Sequence, residues 1–316
     1  MTQPTLLPGQ CSKRTNGNRE RYSFSGHQTF PFRYSWLKKA VDAVHDDPNV
    51  FRREDAIVIF GVGKNMVESI RHWGLATQVL EEDQRTRQLR ISEWGKLLFL
   101  EECDPYLEDP GSLWLLHWLL VSNPARAATW YLAFNMYPFP DFRKEALVSF
   151  IHGFAERNQL RANVGTIRRD VDCFVRTYTP SRLTTTEVPE DSFNCPLVEL
   201  ELLELLPDDI TYRFVVGPKP SLPVEVVAGV ILSLLGRLGS GRRTLSIHEC
   251  LYEPLSPGQI FKLDESALVD YIEQLESITG GAVAVDETAG LHQLYVRRPI
   301  DGKELIVQYL RARVTP

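Results

Sequence analysis

The sequence predicts a mostly α protein of the α+β type, with a winged helix-turn-helix N-terminal domain, a helical middle domain and a small α+β C-terminal domain. Three observations carry this. Two helical patterns, a Gly-x-Gly bend, a third helix and a two-strand pattern follow one another between residues 34 and 91. Long apolar helical segments, punctuated by proline, occupy residues 109–178. Beyond residue 196, short strand patterns mix with two further helices. The expected boundaries are a flexible tail over 1–20, the winged unit over 21–103, the helical domain over 104–185 and the α+β domain over 186–316.

The first 20 residues are polar and carry Lys13, Arg14 and Arg19, which suits a tail. An unusually aromatic stretch follows, from Phe24 through Phe30, Phe32 and Tyr34 to Trp36. Tyr34 to His45 reads as a helix with Trp36, Leu37, Ala40, Val41 and Val44 on one face, broken by Asp47-Pro48-Asn49. Arg53 to Phe60 reads as a second, short helix. Gly61-Val62-Gly63 makes a tight turn, because glycine tolerates positive φ. Lys64 to Trp73 is the third helix: Met66, Val67, Ile70 and Trp73 form its apolar stripe, and Lys64, Asn65, Glu68, Arg71 and His72 its polar face. Gly74 is placed as its cap. Strands are expected at 77–80 and 88–91 around a charged tip, and a helix from Ser92 to Phe99.

Asp109-Pro110 opens a helix that is apolar nearly all round from Leu113 to Val121, so it belongs to a core. Further helices are read from Pro124 to about Tyr137, from Phe142 to Arg157 and from Val164 to Tyr178, the last with Arg168, Arg169 and Arg176 exposed. Residues 179–195 are rich in Thr, Ser and Pro and read as a linker. Leu197–Leu206 and Tyr212–Val216 are candidate paired strands. Pro223–Leu238 and Glu265–Ile278 are helices, and Ala282–Val285 and Leu291–Val296 candidate strands.

The chain has 316 residues, 43 % hydrophobic and 24 % charged, enough to bury the cores of two or three domains. No apolar stretch approaches the roughly 18 residues of a membrane helix, and no apolar leader is visible at the N-terminus. Cys11, Cys103, Cys173, Cys195 and Cys250 form no CxxC pair. That argues against a disulfide framework or a structural zinc site and for a reducing, cytoplasmic location. The net charge is −6, but it is unevenly spread. Residues 1–100 hold 15 Lys+Arg against 11 Asp+Glu, a net of +4, whereas residues 101–316 hold 20 against 30, a net of −10. The basic end is the one expected to meet a polyanion.

On the third helix, Lys64, Asn65, Ser69, Arg71 and His72 are the recognition candidates, since Lys and Arg neutralise phosphate or read guanine and Asn reads adenine. Arg85 and Arg87 on the hairpin, Arg52 and Arg53 at a helix start, and Arg33 and Lys38 near the first helix are candidate phosphate contacts. For each, the competing reading is an ordinary solvated face; Arg33 can equally hold an internal carboxylate. Gly61-Val62-Gly63-Lys64 is not a phosphate-binding P-loop, which would need glycine in place of Val58 and Ser or Thr in place of Asn65. His27 is a candidate general base or metal ligand, or else a structural histidine tying the aromatic loop together. Asp104, Glu108 and Asp109 are a candidate Mg²⁺ or Mn²⁺ set for phosphodiester cleavage, or else helix capping and acidic surface. No established nuclease signature is present. Cys103 and Cys173 are remote candidates for carrying a persulfide, against the commoner role of a small buried apolar group.

The run from Phe24 through Ser25-Gly26-His27-Gln28-Thr29 to Tyr34 resembles the opening signature of the SspB-like family of bacterial DNA phosphorothioation systems, a former domain-of-unknown-function family. Gly61 to Val67 with Ile70-Arg71-His72-Trp73 resembles its second signature. Asp104 to Pro110, with Trp114 to Trp118, resembles its third, and Thr129-Trp130-Tyr131 also fits. Order and spacing agree over residues 24–135; the C-terminal half fits only in general character. The resemblance implies a component that binds double-stranded DNA and nicks one strand beside a cysteine desulfurase and an ATP-pyrophosphatase-like sulfurtransferase. A non-catalytic adaptor and a transcriptional regulator are the alternatives.

Overall fold

The computed structural model describes residues 21–180, 195–239, 241–288 and 291–314. The expected tail over 1–20, with Cys11, and nearly all of the expected linker lie outside them. The described residues are mostly helical with three small sheets, an α+β arrangement.

Helix α1 (Tyr34–Asp46) buries the predicted stripe of Trp36, Leu37, Ala40, Val41 and Val44. A 3-10 turn at Val50–Arg52 leads to α2 (Ala56–Phe60), shorter than expected because Arg53–Asp55 form the turn that enters it. Gly61 then takes φ +64° with no heavy atom within 4 Å of where a Cβ would sit. Helix α3 (Lys64–Ala76) runs through Gly74, the expected cap; the glycine instead makes room for Leu80, which would lie 2.8 Å from a Cβ there. The chain reverses only at Gln78 (φ +58°), so the hairpin starts late: β1 (Leu80–Glu82) pairs antiparallel with β2 (Leu89–Ile91), Leu80 opposite Ile91. The short α4 (Glu93–Gly95), capped by Ser92, continues as a π-helical turn through Leu100.

Helix α5 (Pro110–Val121) is buried on nearly every side, as its lack of a polar face requires. Against it packs α6 (Pro124–Asn135), which in turn carries α8 (Val164–Tyr178) and α7 (Lys144–Arg157). The expected helix at 142 begins at 144 because β3 (Asp141–Arg143) is claimed by a sheet with β4 (Leu203–Leu205) and β5 (Thr211–Phe214), in the order β3-β5-β4. The expected long strand from Leu197 is a 3-10 turn, Pro196–Leu200, followed by the three residues of β4. This sheet joins chain on both sides of the expected boundary at residue 186.

The remainder comprises α9 (Val224–Leu238), β6 (Thr244–Ser246), α10 (Ile247–Tyr252), α11 (Pro257–Phe261), α12 (Glu265–Ile278), β7 (Val283–Thr288), β8 (Leu291–Val296) and α13 (Gly302–Val314). Its sheet runs β6-β8-β7. One contiguous hydrophobic cluster runs from Phe32 to Leu310. Gln78 Nε2 donates to Leu119 O at 2.6 Å, and Asn123 Nδ2 to Leu75 O at 3.0 Å, tying the N-terminal helices to α5 and α6. At the other end of α6, Lys262 Nζ donates to Phe134 O at 2.7 Å.

His117 sits at the centre of this packing, between Tyr178 Oη and Ile260 O, each 2.8 Å from one ring nitrogen. Burial pushes it down to about 3. Its folded value lies below the unfolded one, so the stability it contributes is complete above the unfolded value and drains away as pH falls. Chemical denaturation is expected to show a loss of about 2 kcal/mol from this residue between pH 7.5 and 5. His117→Gln, which cannot titrate there, should fall less steeply. Identical pH profiles for the two proteins would contradict the assignment.

Candidate nucleic-acid interface

The outer face of α3 is built by helical periodicity. Lys64, Glu68 and Arg71 stand one turn apart and point the same way, with Asn65 beside them; Lys64, Asn65 and Glu68 are exposed. The C-terminal half of the polar face is a different matter. The aromatic loop lies across it, and this corrects two expectations. Ser69 is fully buried and donates from Oγ to His27 O at 2.9 Å. His72 is buried against Gly26 and His27, and burial, with lesser contributions from His27, Arg126 and Arg71, pushes it down to about 3. Neither is presented at the surface.

His27 is equally enclosed. Thr29 N–H donates to its Nδ1 at 3.0 Å, so the ring proton sits on Nε2, which donates to Asp170 Oδ1 at 3.0 Å. Asp170 also accepts from Ser25 N at 2.8 Å and Thr129 Oγ1 at 3.1 Å. A histidine 2 % exposed with both nitrogens engaged is a structural tie and not a general base. The loop it holds is strained: Ser25, Gln28 and Thr29 have φ of 69°, 47° and 67°, and Gly26 has 109°.

Beside α3, the first hairpin strand supplies Glu82, whose side chain is 6 % exposed. Its carboxylate accepts from Arg71 Nη2 at 2.6 Å and Arg126 Nη2 at 2.8 Å, with Arg87 Nη1 at 3.4 Å. Arg52 Nη2 donates to Arg87 O at 2.9 Å and completes the group. Burial works to raise the Glu82 carboxyl, but the three guanidiniums outweigh it and hold it below the usual carboxylate range. Burial and the neighbouring Arg126 and Arg52 depress Arg71 in turn, against the pull of Glu82. Three cations thus share one carboxylate, and Arg52 is held beside them through the Arg87 carbonyl. Arg87 is 62 % exposed and Arg71 and Arg126 about a third, so each guanidinium also reaches the surface.

Arg126 was not legible as part of this group. It lies in the short turn that opens α6, directly before Ala127, whose φ of −137° and ψ of 55° break the helix. Of the other candidates, Arg85 is exposed at the hairpin tip. Arg53 is paired with Asp55 at 2.7 Å and Lys38 with Asp42 at 2.6 Å, while Arg33 lies 5.5 Å over the Trp36 ring.

The acidic candidates do not converge. Asp104 is buried and accepts from the amides of Glu108 and Asp109 at 2.8 and 3.0 Å. Asp109 caps α5 through Gly111 N at 2.7 Å and accepts from Tyr309 Oη at 2.9 Å. Glu108 is exposed. Among the described residues no group of three or more His, Cys, Asp or Glu side chains is placed to hold a metal ion, and Asp104 and Asp109 are engaged in these internal bonds. Burial pushes the Cys103 and Cys173 thiols up, against a persulfide role.

The loop makes a prediction about stability. A methyl group at Gly26 would lie 2.5 Å from His72 Nδ1 in a left-handed backbone, whereas one at Gly61 meets only open space. Gly26→Ala is expected to cost about 2–4 kcal/mol and Gly61→Ala only about 1. Equal costs in denaturant unfolding would show that the loop does not clamp α3.

Comparison with known proteins follows this geometry. The family described as "Protein of unknown function (DUF4007)" matches residues 24–310. No curated protein matches the chain. Similar solved structures include an SspB crystal structure, with a TM-score of 0.80 and 30 % identity over 93 % of this chain and 89 % of that one. A magnesium ion-bound SspB crystal structure gives a TM-score of 0.81 and 29 % identity over 93 % of this chain and 89 % of that one. With its family signature matched from Phe24 onward and the SspB fold along nearly its whole length, the chain belongs to the DUF4007 family as an SspB-like protein.

Proposed function

We propose that this protein is the DNA-binding component of a DNA phosphorothioate modification and defence system. The observation that carries the reading is the arginine group around Glu82, set between the outer face of α3 and the hairpin. The order α1, α2, Gly61 bend, α3, β1–β2 suits a winged helix-turn-helix. In that reading α3 enters the major groove with Lys64 and Asn65 leading. Arg85 and Arg87 on the wing, with Arg52 and Arg126 at its base, meet flanking phosphates. Likeness to SspB supports placing it beside a cysteine desulfurase and an ATP-pyrophosphatase-like sulfurtransferase.

Nicking of one strand, assisted by Mg²⁺ or Mn²⁺, is the activity the family resemblance favours, and the magnesium-bound SspB neighbour supports the metal. A recruiting adaptor is the second reading. The structural engagement of His27, Asp104 and Asp109 favours it.

Two measurements test these readings. Duplex binding should weaken steeply with salt, and Lys64→Ala or Arg71→Ala should each flatten the log K against log salt slope by about 1. Unchanged slopes would remove the α3 assignment. Supercoiled plasmid incubated with the protein and Mg²⁺ or Mn²⁺ should yield open circles if it nicks; intact plasmid with retained binding identifies the adaptor.

A further inference from the structure

The arginines that α8 turns outward have no part in the interface described so far. Arg168, Arg169 and Arg176 are exposed on α8, and by helical periodicity they flank Asp172 within one stripe. Asp172 is itself neutralised by Lys144 Nζ of α7 at 2.7 Å. The stripe therefore carries four cations against one anion, in a part of the chain whose overall charge is negative.

Its position relative to α3 follows from two consecutive loop residues. Gln28 Nε2 donates to Glu68 Oε2 at 2.7 Å, on the outer face of α3 between Lys64 and Arg71. The next residue, Thr29, accepts through its carbonyl from Arg176 Nη2 of α8. Both bonds join exposed residues, so the two faces meet on one surface with residues 28 and 29 as the bridge. Beneath the bridge, His27 is fastened to both helices, through Ser69 of α3 and Asp170 of α8, which fixes their separation. Glu68, the exposed acid beside the bridge, is already engaged by Gln28.

We propose that the Arg168, Arg169 and Arg176 stripe is a second phosphodiester-binding face, which continues the nucleic-acid track from α3 across residues 28 and 29 onto α8. This rests on the DNA-binding reading and extends it: the duplex is gripped beyond the hairpin unit. Arg168 and Arg169 are the residues to change. Neither holds the fold: the bond from Arg169 Nη2 to Thr166 Oγ1 is 3.5 Å long and stays within α8.

The test is anisotropy titration of the full chain across salt concentrations, with a duplex of about 10 base pairs and one of about 21 sharing the same centre, roughly one and two helical turns. Wild type should show the steeper salt slope on the longer duplex. Arg168→Ala/Arg169→Ala should flatten that slope by about 2 and leave the short duplex unaffected. Arg168→Lys/Arg169→Lys should restore it, since the contact is to charge. Lys64→Ala/Arg71→Ala should weaken both duplexes. Wild-type affinity and slope on the longer duplex in the α8 alanine variant would overturn the proposal and leave the α3 reading standing. Failure of wild type to bind either duplex would overturn the DNA-binding reading, and this proposal with it.

Discussion

The Asp170 carboxylate, 1 % exposed, is the point on which the outer surface depends. It collects the Ser25 amide, the His27 ring and the Thr129 hydroxyl, so one residue of α8 gathers the aromatic loop and α6 around itself. A buried carboxylate is tolerated only when such donors surround it. The donors are met by a loop with residues in the left-handed region, and that backbone persists only because the surroundings over-determine it. The result is a rigid connection between α3 and α8, two helices that each turn cations outward.

Electrostatics then decides what the surface suits. The chain is acidic overall, at −6, but binding is governed by local charge. Glu82 holds Arg71, Arg87 and Arg126 together at a spacing their mutual repulsion would otherwise prevent. One carboxylate does not neutralise three guanidiniums, and the excess faces solvent. Dividing the chain into a basic first third and an acidic remainder is too coarse, because Arg126 and the α8 arginines belong by sequence to the acidic part and by structure to the basic surface.

Periodicity made much of the architecture legible. The stripe of α1, the all-round apolar α5 and the amphipathic α8 are where their patterns place them, since long helices repeat one signal many times. The three-residue β3 and β6 carry no such signal, and neither do α10 and α11, whose starts are set by single capping serines. At the site, Lys64 and Asn65 are outward as helical spacing requires. His72 shares their side of the helix but is covered by a loop more than 40 residues earlier in the chain, at Gly26 and His27. The His27–Asp170 bond spans 143 residues, and Glu82–Arg126 spans 44, so both are products of tertiary folding that no local pattern announces. Asp104 and Asp109 look like a metal set on the page of the sequence because capping and coordination draw on the same residue types.

Hydrogen exchange of the full chain with and without a mixed-sequence duplex reads the basic surface directly. Exchange should slow at residues 64–71, at the hairpin 83–90 and at 165–176, with the acidic C-terminal elements unchanged. Protection confined to residues 195–314, or none under conditions where the duplex is bound, would contradict it.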